Sequence, residues 1–298
     1  MIGVIQSSIE LILELFFDGF LALLAVAVAA PLLGVLLVLR RMPILGLAIP
    51  QLASCGQAAT YFLFALFVVT DTAHPEEPGT ALQLTGSLAA VAIGMLALVG
   101  LARDRRFLGV HACIAFLVAV ALQELCYLGS PYHKIFEESI HHGRLLTVDT
   151  SGRNRVVAAC AVASVLGVAF WRRLWVSAFD PDQAQLLGLS PNRNLVITLL
   201  LLGGLCALCV PVVGPEVVLT LLLVPPAILR TATPSLAAYP ILSAIAGLIG
   251  GAGAFVLSCA EGVDWPPGPA VVLCVVATSA VLAGVVAGTR CAMGRTNS

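Results

Sequence analysis

The chain reads as an all-α, polytopic helical membrane bundle of about nine transmembrane helices, with eight as the alternative count. Three observations predict that class. Of 298 residues, 60% are hydrophobic and only 10% are charged, mean hydropathy is +1.04, and the charges cluster between long apolar runs. A soluble domain carries charge at about a quarter of its positions, so this chain cannot cover itself with polar surface in water. The net charge of −1 gives no reason to expect nucleic acid as a partner.

A helix crosses the hydrocarbon layer in about 20 residues, and charged clusters mark the turns. By that measure the first span runs from about Leu15 to Leu39 and ends at Arg40-Arg41. It is too long, and lacks the basic leading region, to be a cleavable signal. The second runs from about Ile44 to Val69, the third from Ala81 to Leu101 and the fourth from Phe107 to Leu128. A polar outer segment, 129–155, precedes a short fifth span from about Val156 to Phe170, which stops at Trp171-Arg172-Arg173. The sixth covers about Leu195 to Val213, the seventh Val217 to Leu229, the eighth Leu236 to Cys259 and the ninth Ala270 to Ala287. No domain boundary interrupts the series, so 1–298 reads as one domain.

Orientation follows from the basic residues. Alternating spans put eleven of the fifteen lysines and arginines on one side and only Lys134, Arg144, Arg153 and Arg155 on the other. The positive-inside rule then places the N-terminus outside and the C-terminus in the cytoplasm. Small residues fill the spans, among them Ala22, Ala25, Gly247 and Gly250, and close backbone approach through such residues holds bundles together in lipid. Gly250-Gly251-x-Gly253 lies inside an apolar run with no strand before it, so helix packing explains it better than a nucleotide loop. Cys206-x-x-Cys209 has redox or zinc spacing but no second pair, and reads as buried, reduced thiols.

Between the fifth and sixth spans lies a polar island, 178–191. Asp180-Pro181 reads as a helix start, with the carboxylate capping free N–H groups and proline at the first helical position. Gly188 reads as the stop, where a left-handed residue is needed. The expected product is a short helix on the Arg-rich side, placed for a soluble partner to grip.

Polar positions inside spans are costly and are expected to face protein or water. They are Gln51 and Gln57 on the second span and Gln123 and Glu124 on the fourth. Glu124 is either a pathway residue or a carboxyl kept neutral by burial. Pro225-Pro226 is expected to break the seventh span midway, as a pathway wall or as a kink that adjusts packing. In the outer segment, a helix over 134–142 would set Glu137 and His141 one turn apart, with Glu138 and His142 beside them and His133 just before. Imidazole with carboxylate is competent for zinc or manganese. The same residues also suit a solvated surface helix.

Taken together, these residues resemble the permease subunits of ABC importers for zinc, manganese and iron. The resemblance rests on Phe179-Asp180-Pro181, Ala184 and Leu187-Gly188-Leu189, then Val213-Gly214, and Val224-Pro225 with Arg230. It extends to Gly19-Phe20-Leu21, Gly34 and Val38-Leu39-Arg40-Arg41-Met42, to Gly143 through Val148, and to Pro266-Pro267-Gly268-Pro269. It implies a dimer of permease chains with the path at their interface, in a bacterial-type inner membrane. It also implies a coupling helix (Phe179, Asp180, Pro181, Ala184, Leu187, Gly188) docked on a cytoplasmic ATPase that holds the ATP, and an outside protein that delivers the metal. The permease would bind no cofactor permanently and catalyse nothing, and the chain has no phosphate-binding Gly-x-x-x-x-Gly-Lys motif.

One departure stands out. Where the family usually has Asp and His four residues apart, this chain has Leu47 and Gln51, neither of which competes with water for a divalent transition metal. Three explanations are open: a heterodimer whose partner keeps the ligands, ligands held elsewhere (Glu124 or the outer His133, Glu137, His141 and His142), or a cargo that is a chelate or other small solute. The path candidates are then Leu47, Gln51, Glu124 and Pro225. A rival from another class is an ATPase-independent transporter or channel.

Overall fold

The computed structural model describes residues 16–67, 78–101, 108–129, 145, 148–233, 235–260 and 265–296. Among them are eleven helices and no strand. In chain order these are α1 (Phe17–Leu39), α2 (Pro43–Phe67), α3 (Thr80–Leu101), α4 (Leu108–Leu128), α5 (Thr150–Ala169), α6 (Trp171–Phe179), α7 (Pro181–Leu186), α8 (Pro191–Val213), α9 (Pro215–Leu229), α10 (Ala238–Ser258) and α11 (Pro267–Thr296).

Nine long helices overlap the nine apolar runs, but only seven are long and apolar enough to cross a membrane: α1, α3, α4, α5, α8, α10 and α11. Helix α2 has the length, and Gln51 and Gln57 dilute its hydropathy. Helix α9 has only 15 residues. The fifth span is longer than expected because it begins at Thr150, with Asp149 accepting from the Gly152 N–H. Its first turn and a half is polar, so an apolar run alone locates its start too late.

Helix α1 lies at the centre, packed against α5, α9 and α10. Its apolar window is 72% buried, against 22% for α4 and for α11, so α1 is wrapped by protein while α4 and α11 present most of their side chains outward. Helix α2 packs against α3 and α4, α8 against α2, α3 and α5, and α11 against α9 and α10. A helix that is apolar all round is one that is buried or faces lipid, and here both cases occur.

The seventh span is not broken. Helix α9 continues through Pro225-Pro226 to Leu229, and two donors, the Arg230 N–H and the Tyr239 hydroxyl, reach the Pro226 carbonyl. Pro226 has no N–H, so the Leu222 carbonyl one turn earlier loses its ordinary helical partner. That oxygen lies against Gly34 of α1, only 1.8 Å from where a Cβ would sit, with the Pro226 ring 3.3 Å from the same point. Pro31 of α1 repeats the arrangement: the carbonyl it frees, Ala27, stands 2.6 Å from a Cβ position at Gly247 of α10, with the Pro31 ring at 2.9 Å. Each proline releases a carbonyl and a neighbouring glycine lets that carbonyl reach a Cα–H, so the helices stay intact and dock closely.

Chain alternation puts the starts of α1 and α5 at one end of the bundle. There Arg153 pairs with Asp18 at 2.6 Å, and the Thr150 hydroxyl donates to the same carboxylate at 2.9 Å. Asp149 is held below the usual carboxylate range, first by the Ser151 hydroxyl, then by the Gly152 N–H, with Arg155 adding attraction. A depressed folded value means that the capping stabilisation is present above the unfolded pKa of about 3.9 and is lost as pH falls through the lower folded value. Asp149→Ala is therefore expected to lower stability at neutral pH by no more than about 1 kcal/mol, the worth of an exposed cap. In thermal melts the gap to wild type should begin to narrow below about pH 4 and close only below the lower folded value; a gap unchanged from pH 7 to pH 3 would contradict this account.

Candidate functional site

The polar island holds one short helix, α7, as expected, and α6 leads into it from the fifth span. Helix α6 buries Leu174, Ser177 and Ala178 against the bundle. Its Ser177 hydroxyl accepts from Arg40 at 3.5 Å, and its Arg173 carbonyl accepts from the Asn194 amide at 3.3 Å. Trp171 and Trp175 stack with ring centroids 4.4 Å apart. The two hydrogen bonds tie α6 to the end of α1 and the start of α8.

Helix α7 has both of its expected ends. The Asp180 carboxylate accepts from the N–H groups of Asp182 and Gln183, each at 3.0 Å, and Pro181 takes the first helical position. At the other end Gly188 has φ +74. The Gly188 N–H reaches the Gln185 carbonyl at 3.0 Å and the Leu189 N–H reaches that of Ala184 at 2.9 Å, the paired bonds of a Schellman stop. The six coupling candidates divide by exposure. Ala184 is fully buried and positions the helix, while Phe179 is 61% and Leu187 68% exposed. Leu186, which the sequence reading passed over, is 88% exposed; an adjacent leucine pair inside a polar stretch was the signal available for it.

The path candidates do not form one cluster. Leu47 and Gln51 lie one turn apart on α2, both half-buried, and the Gln51 amide donates to the Gln123 Oε1 of α4 at 2.6 Å. Glu124 lies on the exposed side of α4, four residues from its end, a distance of about 6 Å along the helix. Pro225 is buried on α9, in the packed wall rather than at an open surface. The outer candidates His133, Glu137, His141 and His142 lie outside the described residues. Among the described residues no group of three or more His, Cys, Asp or Glu side chains is placed to hold a metal. Cys160 and Cys209 bring their sulfurs to 3.8 Å in the core between α5 and α8, and the eight cysteines from Cys55 to Cys274 are free thiols.

A family model described as the ABC 3 transport family matches residues 12–287. The chain belongs to the ABC 3 transport family. As a member of that family it is a multi-pass membrane permease, a transport subunit, and this assignment favours the ATP-driven reading over an ATPase-independent channel. Two solved structures share the fold of this ABC 3 permease. PsaBC from Streptococcus pneumoniae, in complex with Fab, aligns with a TM-score of 0.75 and 18% identity, covering 93% of this chain and 95% of that one. A transporter described as metal-chelate type, in an inward-facing conformation, aligns with a TM-score of 0.67 and 20% identity, covering 93% of this chain and 88% of that one. No curated protein matches the sequence of this ABC 3 permease.

Proposed function

We propose that this ABC 3 permease is the membrane-spanning half of an importer that moves a divalent transition metal (zinc, manganese or iron) into the cytoplasm, driven by a separate ATPase. The observation that carries the reading is the α6–α7 segment. Its α7 is capped at both ends, its α6 is bonded to the end of α1 and the start of α8, and Phe179, Leu186 and Leu187 are left exposed. A rigid protrusion with an apolar tip is what a motor subunit needs to turn its own closure into helix movement. In this reading Phe179 to Gly188 face the cytoplasm, ATP stays on the ATPase, and a second permease chain completes the path. An extracytoplasmic binding protein supplies the cargo, and the assembly sits in a bacterial-type inner membrane.

A second form of the cargo, a metal chelate or other small neutral-faced solute, is favoured by Leu47 and by the Gln51–Gln123 amide pair. An amide already committed to a neighbouring helix offers a metal ion little, and suits a cargo whose metal is already coordinated.

The test is ATP-dependent uptake by vesicles holding the permease with its ATPase and binding protein, using zinc, manganese and iron, each free and chelated. Uptake of one of these that stops when ATP is withheld is expected. Uptake that runs equally without ATP, or an assembly that never retains an ATPase, would overturn the proposal. Preference for the chelated form would decide between its two versions.

A further inference from the structure

Where α1 and α9 end and α10 begins, a cavity of about 340 Å³ opens beside Phe179. Two arginines, Arg41 and Arg230, line it together with Thr233 and Ser235, while Leu39 and Leu236 form an apolar wall. Among the described residues that line the cavity there is no carboxylate, so none of these walls neutralises its two positive charges.

The backbone at Arg41 is informative. Helix α1 stops as α7 does: the Arg41 N–H reaches the Val38 carbonyl at 3.1 Å and the Met42 N–H reaches that of Leu37 at 3.0 Å. The left-handed position of this Schellman stop, held by glycine in α7, is here Arg41 with φ +58. A residue with a Cβ in that conformation costs about 1–2 kcal/mol, and glycine would make the same turn more cheaply. What arginine adds is a guanidinium at the cavity. Arg230 lies across the same turn, its Nη1 donating to the Val38 carbonyl at 3.4 Å, and a guanidinium has four further N–H groups to offer.

We propose that this cavity binds the phosphate of an anionic glycerophospholipid. Two arginines and the Ser235 hydroxyl, which accepts from the Ala238 N–H and keeps its own proton to donate, match a phosphate diester. The Thr233 hydroxyl donates to the Leu229 carbonyl. Basic pockets between membrane helices hold such headgroups. The apolar wall of Leu39 and Leu236 then runs along the start of the acyl chains, which inorganic phosphate does not have. The proposal rests on the chain being a membrane protein and is independent of the cargo and of the direction of transport.

The experiment measures the thermal shift of the detergent-purified permease as short-chain phosphatidylglycerol, phosphatidylcholine or sodium phosphate is titrated in. Phosphatidylglycerol is expected to protect the wild type, with phosphatidylcholine and sodium phosphate giving little. Arg230→Gln should raise the lipid concentration needed for that protection about fivefold, and Arg41→Gly with Arg230→Gln about thirtyfold. Arg172→Gln, exposed and outside the cavity, should respond as wild type. Arg41→Gly is the informative single variant: the relaxed turn should leave it at least as stable as wild type without lipid, yet with a weaker lipid response, so misfolding cannot account for the loss. Equal protection by phosphatidylcholine, a full shift with sodium phosphate alone, or an undiminished response of the double variant would each overturn the assignment.

Discussion

Replacing Leu186 and Leu187 together by Asp is expected to abolish co-purification of the ATPase while leaving the permease inserted and folded. Both side chains stand in the open, so the bundle loses no packing, and exposed substitutions of this kind change stability by about 0.5 kcal/mol or less. At a docking surface the same change removes two apolar anchors and buries two carboxylates. Interface anchors of this type are worth about 2 kcal/mol or more each, so affinity should fall by at least about a thousandfold. Pull-down with a tagged ATPase, beside a melt of the permease alone, reads both quantities. Retention of the ATPase at wild-type level would remove α7 as the coupling element. Ala184→Asp is a poorer probe: that position is buried, and a carboxylate there would disrupt the segment itself as well as any docking. Gly188→Ala should act more mildly, loosening the stop by about 1 kcal/mol because φ is +74.

The second large effect is expected inside the bundle. Gly34→Ala sets a methyl 1.8 Å from the Leu222 carbonyl oxygen, and backbone cannot swing aside as a flexible side chain can. Helix α9 must separate from α1, at a cost near or above the top of the about 1–3 kcal/mol range for overpacked cores. Gly204→Ala, where nothing lies within 4 Å of the new methyl, should be nearly neutral. The pairing of proline and glycine adds a sharper test. Pro226→Ala restores a donor to the Leu222 carbonyl, so Gly34→Ala with Pro226→Ala should be less destabilised than the sum of the two single changes. Strict additivity in thermal melts would show that the freed carbonyl and the glycine are not coupled.

Much of the molecule was legible because much of it is local. Asp180, Pro181 and Gly188 act on N–H and C=O groups within a few residues, so the ends of α7 could be read without knowing the fold. The apolar runs likewise announced nine long helices, since burial in lipid is a property of a stretch. The start of α5 was missed because Asp149 caps a polar turn that hydropathy does not register. The continuity of α9 was missed because two adjacent prolines disrupt a helix only if nothing else satisfies the carbonyls they release.

The sequence by itself determined the class of protein, the crowding of arginine at one end and the capped protrusion between the fifth and sixth spans. Tertiary structure decided that Ala184 turns inward while Leu186 turns out, that Gln51 is held by Gln123, and that Gly34 and Gly247 receive carbonyls freed by prolines. The reason is range. Caps and hydropathy are settled within a turn or two of the chain. The partner of an amide or an orphaned carbonyl lies on another helix, tens to hundreds of residues away, and is chosen only when the bundle closes.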